Sequence, residues 1–143
     1  MKDIWGKRLF KAGAIVLILL GLVHSLSLVH PMVPTNDTEK QLLELMTKYR
    51  FDLMGSPRSM QELLQGFSIS FMVWAIGLGI LDLALSRERP ALLKRLALIN
   101  AIWLIVMTAT SLRYFFLAPT AFLATELLLF VLAWVLLPAN STS

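Results

Sequence analysis

Tyr114-Phe-Phe-Leu-Ala-Pro119-Thr-Ala-Phe-Leu-Ala-Thr-Glu126-Leu-Leu-Leu-Phe-Val-Leu-Ala-Trp134-Val-Leu-Leu137 is the stretch that decides the reading of this chain. It carries one charged side chain, Glu126, and is long enough to cross a hydrocarbon layer about 30 Å thick, which takes roughly 20 apolar residues. Three more runs of the same kind lie upstream, at about 9–29, 63–85 and 91–112. The first of them is densest through Ala14-Ile-Val-Leu-Ile-Leu-Leu20. Backbone amides find no water partner in lipid, so each run is predicted to be an α-helix. The expected fold is all-α, an integral membrane four-helix bundle forming a single membrane domain over 1–143.

Composition agrees with that expectation. Of the 143 residues, 57% are hydrophobic and 15% charged, with a mean hydropathy of +0.73. Soluble domains hold roughly 45–50% apolar and about 25% charged residues. An ordinary soluble globule, a disordered chain and a collagen-like repeat are therefore excluded. Cysteine is absent, which removes disulfides, thiolate zinc sites, iron–sulfur clusters and thiol catalysis. The basic n-region of Lys2, Lys7, Arg8 and Lys11 and the small-residue Ser25-Leu-Ser27 resemble a secretory signal. The apolar run between them is longer than the usual signal core, so it reads as a retained span.

Cation placement sets the expected orientation. Lys2, Lys7, Arg8 and Lys11 form one short cluster, and Arg87, Arg89, Lys94 and Arg95 form a second around Pro90. Lys40, Lys48, Arg50 and Arg58 of the long first connection are accompanied by Asp37, Glu39, Glu44, Asp52 and Glu62, and the last connection has only Arg113. The two clusters are read as cytoplasmic, giving a multi-pass protein of the inner (plasma) membrane with both termini in the cytoplasm. Topology and contact with anionic lipid account for the net charge of +4, so no nucleic-acid partner is called for.

The first outer loop is predicted to contain an amphipathic helix over about 37–54. Pro31 and Pro34 close the first span, and Asn36 with Glu39 reads as a capping box. Leu42, Leu45, Met46, Tyr49 and Leu53 then share one face, away from Lys40, Glu44, Lys48 and Asp52. Such a helix either lies in the outer headgroup plane or folds over the mouth of the bundle as a lid. Gly55 is expected to end it, with Ser56 capping the second span and Pro57 at its first helical position.

Ionisable and polar groups at membrane depth are costly and point to function. Glu126 is the sharpest, near the middle of its run among leucines. His24 lies outward of the midpoint of span one, and Asn100 near the middle of span three. Mostly small or polar residues recur at helical spacing along Ala97, Asn100, Ala101, Leu104, Thr108 and Ser111, as they do along Gly66, Ser70 and Gly77, and along Ala75, Gly79 and Asp82. Such stripes let membrane helices approach closely. The predicted site is a buried polar cluster of His24, Ser70, Asn100, Thr108 and Glu126 in the outer half, beside a kink at Pro119. Three readings of Glu126 stay open, the first two being an interhelical hydrogen-bond lock and a site for a ligand, ion or proton. Contact with a second chain is the third. Asp82 is expected to pair with Arg87 or Arg89.

No phosphate loop, HExxH or GxSxG motif occurs, and no catalytic residue, metal site or cofactor is predicted. His24 and His30 share one helix about 9 Å apart along its axis, which does not suit a bis-histidine haem. Asn36-Asp-Thr38 and Asn140-Ser-Thr142 match the glycosylation triplet, one beside the membrane and one on the cytoplasmic side, and neither is read as modified.

Gly21-Leu-Val-His24, Gly66-Phe-Ser-Ile-Ser70 and the preceding Gly55-Ser-Pro-Arg-Ser-Met-Gln-Glu62 resemble small bacterial four-helix membrane proteins of the broad DoxX-like kind. Chain length and the four-span plan match that group, some members of which are associated with quinone- or sulfur-linked redox complexes. Small multidrug-resistance transporters also have four short helices and one membrane glutamate, but they carry it in the first helix and lack the long outer loop. The expected function is non-enzymatic: binding of a small lipophilic or protonatable ligand in the outer half, or service as an accessory subunit of a membrane complex. A quinone-reactive redox subunit and a small proton-coupled transporter working as an oligomer are the alternatives. Expected partners are membrane lipids and either another membrane protein or further copies of the chain.

Overall fold

A computed structural model describes residues 1–29 and 33–139, apart from the Ser27 side chain. His30, Pro31 and the Asn140 triplet lie outside the described residues. Five helices and one short hairpin follow in order: α1 (Lys2–Val29), α2 (Asp37–Lys48), β1 (Arg50–Leu53), β2 (Ser56–Ser59), α3 (Met60–Leu85), α4 (Pro90–Tyr114) and α5 (Leu117–Leu136). Four of them, α1, α3, α4 and α5, are long and apolar enough to cross a membrane. Their ends agree closely with the predicted runs, except that α1 begins seven residues before position 9 because the polar Lys2–Arg8 segment is helical too.

The four long helices pack side by side. α1 lies between α3 and α5, α5 lies between α1 and α4, and α1 touches α4 more lightly. The core is drawn from Phe10, Leu17 and Leu20 of α1, Leu93, Ala97, Ala101 and Leu104 of α4, and Leu123, Phe130 and Ala133 of α5. Only Ala75 represents α3 among its fully buried members, and α3 is the least buried of the four. What fixes α3 is close approach to α1. A Cβ on Gly79 would fall 2.8 Å from the Ala14 carbonyl, and one on Gly21 would fall 2.7 Å from Ile76 Cγ1. Ala75, Gly79 and Asp82 form its inward stripe. Gly66 and Gly77 face open space, and Ser70 is exposed, so the other small-residue stripe of this helix looks outward.

The connection between α1 and α3 differs from expectation. α2 stops at Lys48 and the chain turns into a hairpin, with Arg50 paired to Ser59 and Leu53 to Ser56. Its two-residue turn is Met54-Gly55, with φ of 55° and 84°, the left-handed pair that the twist of a tight hairpin demands. Asp52 Oδ1 accepts the Gly55 N–H at 2.9 Å. The apolar rhythm that suggested a helix through position 54 is thus carried by strand alternation after Tyr49. Pro57 sits in β2 and the cap of α3 is Ser59, where Ser59-Met-Gln-Glu62 forms both hydrogen bonds of a capping box. At α2 the box is shifted by one residue. Asn36 accepts the Glu39 N–H, but Glu39 Oε2 takes the N–H and hydroxyl of Thr35.

Pro119 does not kink α5. It is the third residue of the helix, within the first turn, where backbone N–H groups have no intrahelical acceptor to lose.

Candidate functional site

The site begins with a difference between neighbours in α5. Thr125 faces outward and donates its hydroxyl to its own Ala121 carbonyl at 2.8 Å, a local bond that lets a threonine sit on an apolar surface. A carboxyl cannot be hidden that way. Glu126 turns inward onto the stripe of Thr120, Leu123, Phe130 and Ala133 and is 0% exposed.

Its depth follows from the contacts on either side. Phe130 meets Phe10 edge-on at 5.4 Å and backs Gly13, while Leu137 backs Gly6. One turn before Phe130 in α5, Glu126 is therefore level with Leu17 of α1. At the far end of α5 the Ser111 and Thr120 hydroxyls lie 2.7 Å apart, which puts Glu126 level with Leu104 of α4. Both leucines are buried core members. Neither carboxyl oxygen of Glu126 has a hydrogen-bond partner among the described residues. An uncompensated carboxylate in such surroundings carries a large desolvation penalty, so the position calls for a proton or a cation.

Asn100 does not join Glu126. Its Nδ2 donates to Asp82 Oδ2 at 2.8 Å, with both residues buried between α4 and α3. Asp82 thus meets an amide rather than Arg87 or Arg89, because its place on the stripe with Ala75 and Gly79 turns it inward. The charge-pairing argument missed this buried acid, although the stripe itself marked it. Thr108, one turn after Leu104 in α4, buries its Oγ1 without a hydrogen-bond partner among the described residues. His24 is half-buried and packs edge-on against Phe71 at 4.9 Å. Phe71 continues to Trp74, which lies 5.3 Å from Trp103 of α4. Ser70 stands apart, exposed beside an open groove lined by Arg58, Glu62, Leu63, Gly66 and Phe67.

Of the predicted cluster, Glu126, Thr108 and His24 therefore follow one another along the inner faces of α5, α4 and α1. Asn100 belongs to a second buried acid on the side of the α3–α4 connection. Two cations are tied to carbonyls near the α3–α4 connection and the end of α5: Lys7 donates to the Glu88 carbonyl, and Lys94 donates to the Leu137 carbonyl while lying over the Trp134 ring. Among the described residues no group of three or more His, Asp or Glu side chains could hold a metal ion. No family model, curated protein or solved structure matches this chain.

Proposed function

We propose that this chain is a multi-pass protein of the inner membrane, a four-helix bundle with both termini in the cytoplasm, that binds a small lipophilic or protonatable ligand at Glu126. The observation that carries this reading is a fully buried carboxyl with both oxygens unpartnered among the described residues. A residue retained only to lock helices together would have a hydrogen-bond partner on a neighbouring helix, as Asn100 and Asp82 do. The relation to DoxX-like proteins rests on the short motifs in α1 and α3 and adds no chemistry to this site.

A lipophilic phosphonium cation is a suitable probe, because it enters membranes and offers the charge that Glu126 lacks. Equilibrium dialysis of the detergent-purified protein should register saturable binding that weakens in acid, as protons compete, and that Glu126→Gln abolishes. Equal binding by the wild type and Glu126→Gln would overturn the reading. The accessory-subunit reading draws on a different feature. Leu42, Leu45, Tyr49 and the hairpin tip Met54 are all exposed, and such a surface suits a partner protein. Copurification of one defined protein that is lost on Met54→Asp and Leu45→Asp would favour it.

A further inference from the structure

One face of α3 is left open by the rest of the chain. Ala75, Gly79 and Asp82 mark the side that meets α1 and α4. Half a turn away, on a helix of about 3.6 residues per turn, lie Gly66, Ser70, Val73, Gly77, Ile80 and Ala84, and all six are exposed. They follow one another at intervals of four, three, four, three and four residues. That is the roughly 3.5-residue repeat by which a helix keeps a single seam against another helix. Acyl chains are fluid and impose no such repeat. A Cβ on Gly66 or Gly77 would meet nothing within 4 Å, so packing inside the chain requires neither glycine, and glycine is a poor helix former. Ser70 adds a separate observation. Its hydroxyl makes no hydrogen bond among the described residues, whereas Thr125, on the outward side of α5, is satisfied by its own Ala121 carbonyl.

We propose that this face is the contact between two copies of the chain, which form a parallel two-fold dimer along α3. The dimer goes beyond ligand binding at Glu126 and does not depend on it. Copies inserted in the same sense are related by a two-fold axis along the membrane normal, so α3 lies beside α3 and equivalent residues meet at equal depth. Gly66, Gly77 and Ala84 let the two backbones approach, and Val73 and Ile80 pack across the axis. The Ser70 hydroxyl of each copy becomes the hydrogen-bond partner of the other.

The charges at the two ends of the face select a second copy over an unrelated helix. In a two-fold contact every residue meets the image of its neighbours, so a charged surface matches itself only where both signs stand together. At one end an open groove of about 500 Å³ is lined in part by Arg58, Glu62, Gly66 and Ser70. At the other end Arg87 and Glu88 follow Ala84, and both are exposed. Among the described residues the ion pairs are Lys48–Glu44 and Arg50–Glu62, which leaves Arg58, Arg87 and Glu88 without an ion-pair partner there. Arg58 donates to the adjacent Pro57 carbonyl. Glu62 takes Arg50 and the Ser59 N–H, and its carboxylate has lone pairs left for a second guanidinium. In the dimer Arg58 faces the partner's Glu62 and Arg87 faces the partner's Glu88, and symmetry makes each pair twice.

The chain has no cysteine, so single cysteines report the contact directly. On oxidation in native membranes, Val73→Cys and Ile80→Cys should each give a disulfide-linked species of twice the 16.1 kDa chain mass. Val106→Cys, at an exposed position of α4, should stay a single chain. Light scattering in mild detergent should return twice the chain mass for the wild type and for Gly77→Ala, because alanine is also small enough for a close helix contact. Gly77→Leu should return one chain mass with unchanged helical circular dichroism, since its own chain leaves that side open. Arg87→Glu should lower the dimer fraction several-fold, and adding Glu88→Arg, which again sets opposite signs across the axis, should recover it. Glu126→Gln should leave the dimer mass unchanged, so the dimer and the reading of Glu126 fail separately. A wild type of one chain mass in detergent that also forms no Val73→Cys link in membranes overturns the dimer. So does a Val106→Cys that links as readily as Val73→Cys, or a Val73→Cys that links to a different protein instead.

Discussion

Thr125 and Glu126 are adjacent in α5, yet the first satisfies itself within the helix and the second has no hydrogen-bond partner among the described residues. That contrast gives opposite expectations for two buried polar residues. Replacing Glu126 by Leu removes an unpaired polar group and should leave thermal stability in detergent unchanged or higher, as happens when a poorly compensated buried polar group is made apolar. Replacing Asn100 by Leu instead strips Asp82 of its donor and should cost about 1–3 kcal/mol. A large loss of stability in Glu126→Leu would return it to the role of an interhelical lock. The same scale shows why Asp82 was misread. Proximity in sequence to Arg87 and Arg89 suggested an ion pair, whereas the stripe of Ala75, Gly79 and Asp82 already carried the answer. Glu39 provides a residue-scale pH expectation. The Thr35 N–H, and then its hydroxyl, hold the exposed Glu39 carboxyl below the ordinary glutamate range. A lowered folded value stabilises at pH above the unfolded one and is lost as pH falls through the folded one. The protection of amides in the first turn of α2, with their intrinsic exchange divided out, should therefore fall on acidification, and Glu39→Gln should remove that dependence.

Among the elements, the long helices were legible because a run of roughly 20 apolar residues has few other fates. The inward face of α4 was legible for a related reason: Ala97, Asn100, Ala101 and Ser111 are small or polar at helical spacing around Leu104, and all five are buried. Spacing alone could not say which of two small-residue stripes on α3 turns inward, because that depends on where α1 lies. Gly79→Ala tests the choice. It should be destabilising by roughly 1–3 kcal/mol through overpacking against Ala14, whereas Gly77→Ala, facing open space, should not destabilise. The hairpin was hidden because Phe51 and Leu53 suit a helix face as well as an alternating strand. Its only clear signal was Met54-Gly55, and Met at φ 55° is an unusual choice for such a turn. Met54→Asn should raise stability by a few tenths of a kcal/mol, up to about 1, as read by thermal melting.

For the whole molecule, the orientation argument can be tested cleanly because the chain has no cysteine. With the first connection outside and both ends inside, a single cysteine at Met54 should react with an impermeant maleimide on intact cells. One at Ala139 should react only after the membrane is opened. The reverse pattern would invert the topology. What remained out of reach from sequence was the grouping of the polar residues. Periodicity assigns each to a face, but only the offsets between helices decide that Asn100 falls beside Asp82 and Glu126 beside Leu17.

The neighbour relations among the helices also bear on biosynthesis. Of the described helices α1 leaves the ribosome before the others, yet its partner across Phe10 and Phe130 is α5, the last of them to be made. Until α5 arrives, the earliest-inserted segment has half of its mating surface turned toward acyl chains, with α3 as its main companion. A transcript stopped before Leu117 should therefore yield a product that inserts but is cleared by membrane proteases, and coexpression of the missing terminal segment as a separate piece should rescue its lifetime.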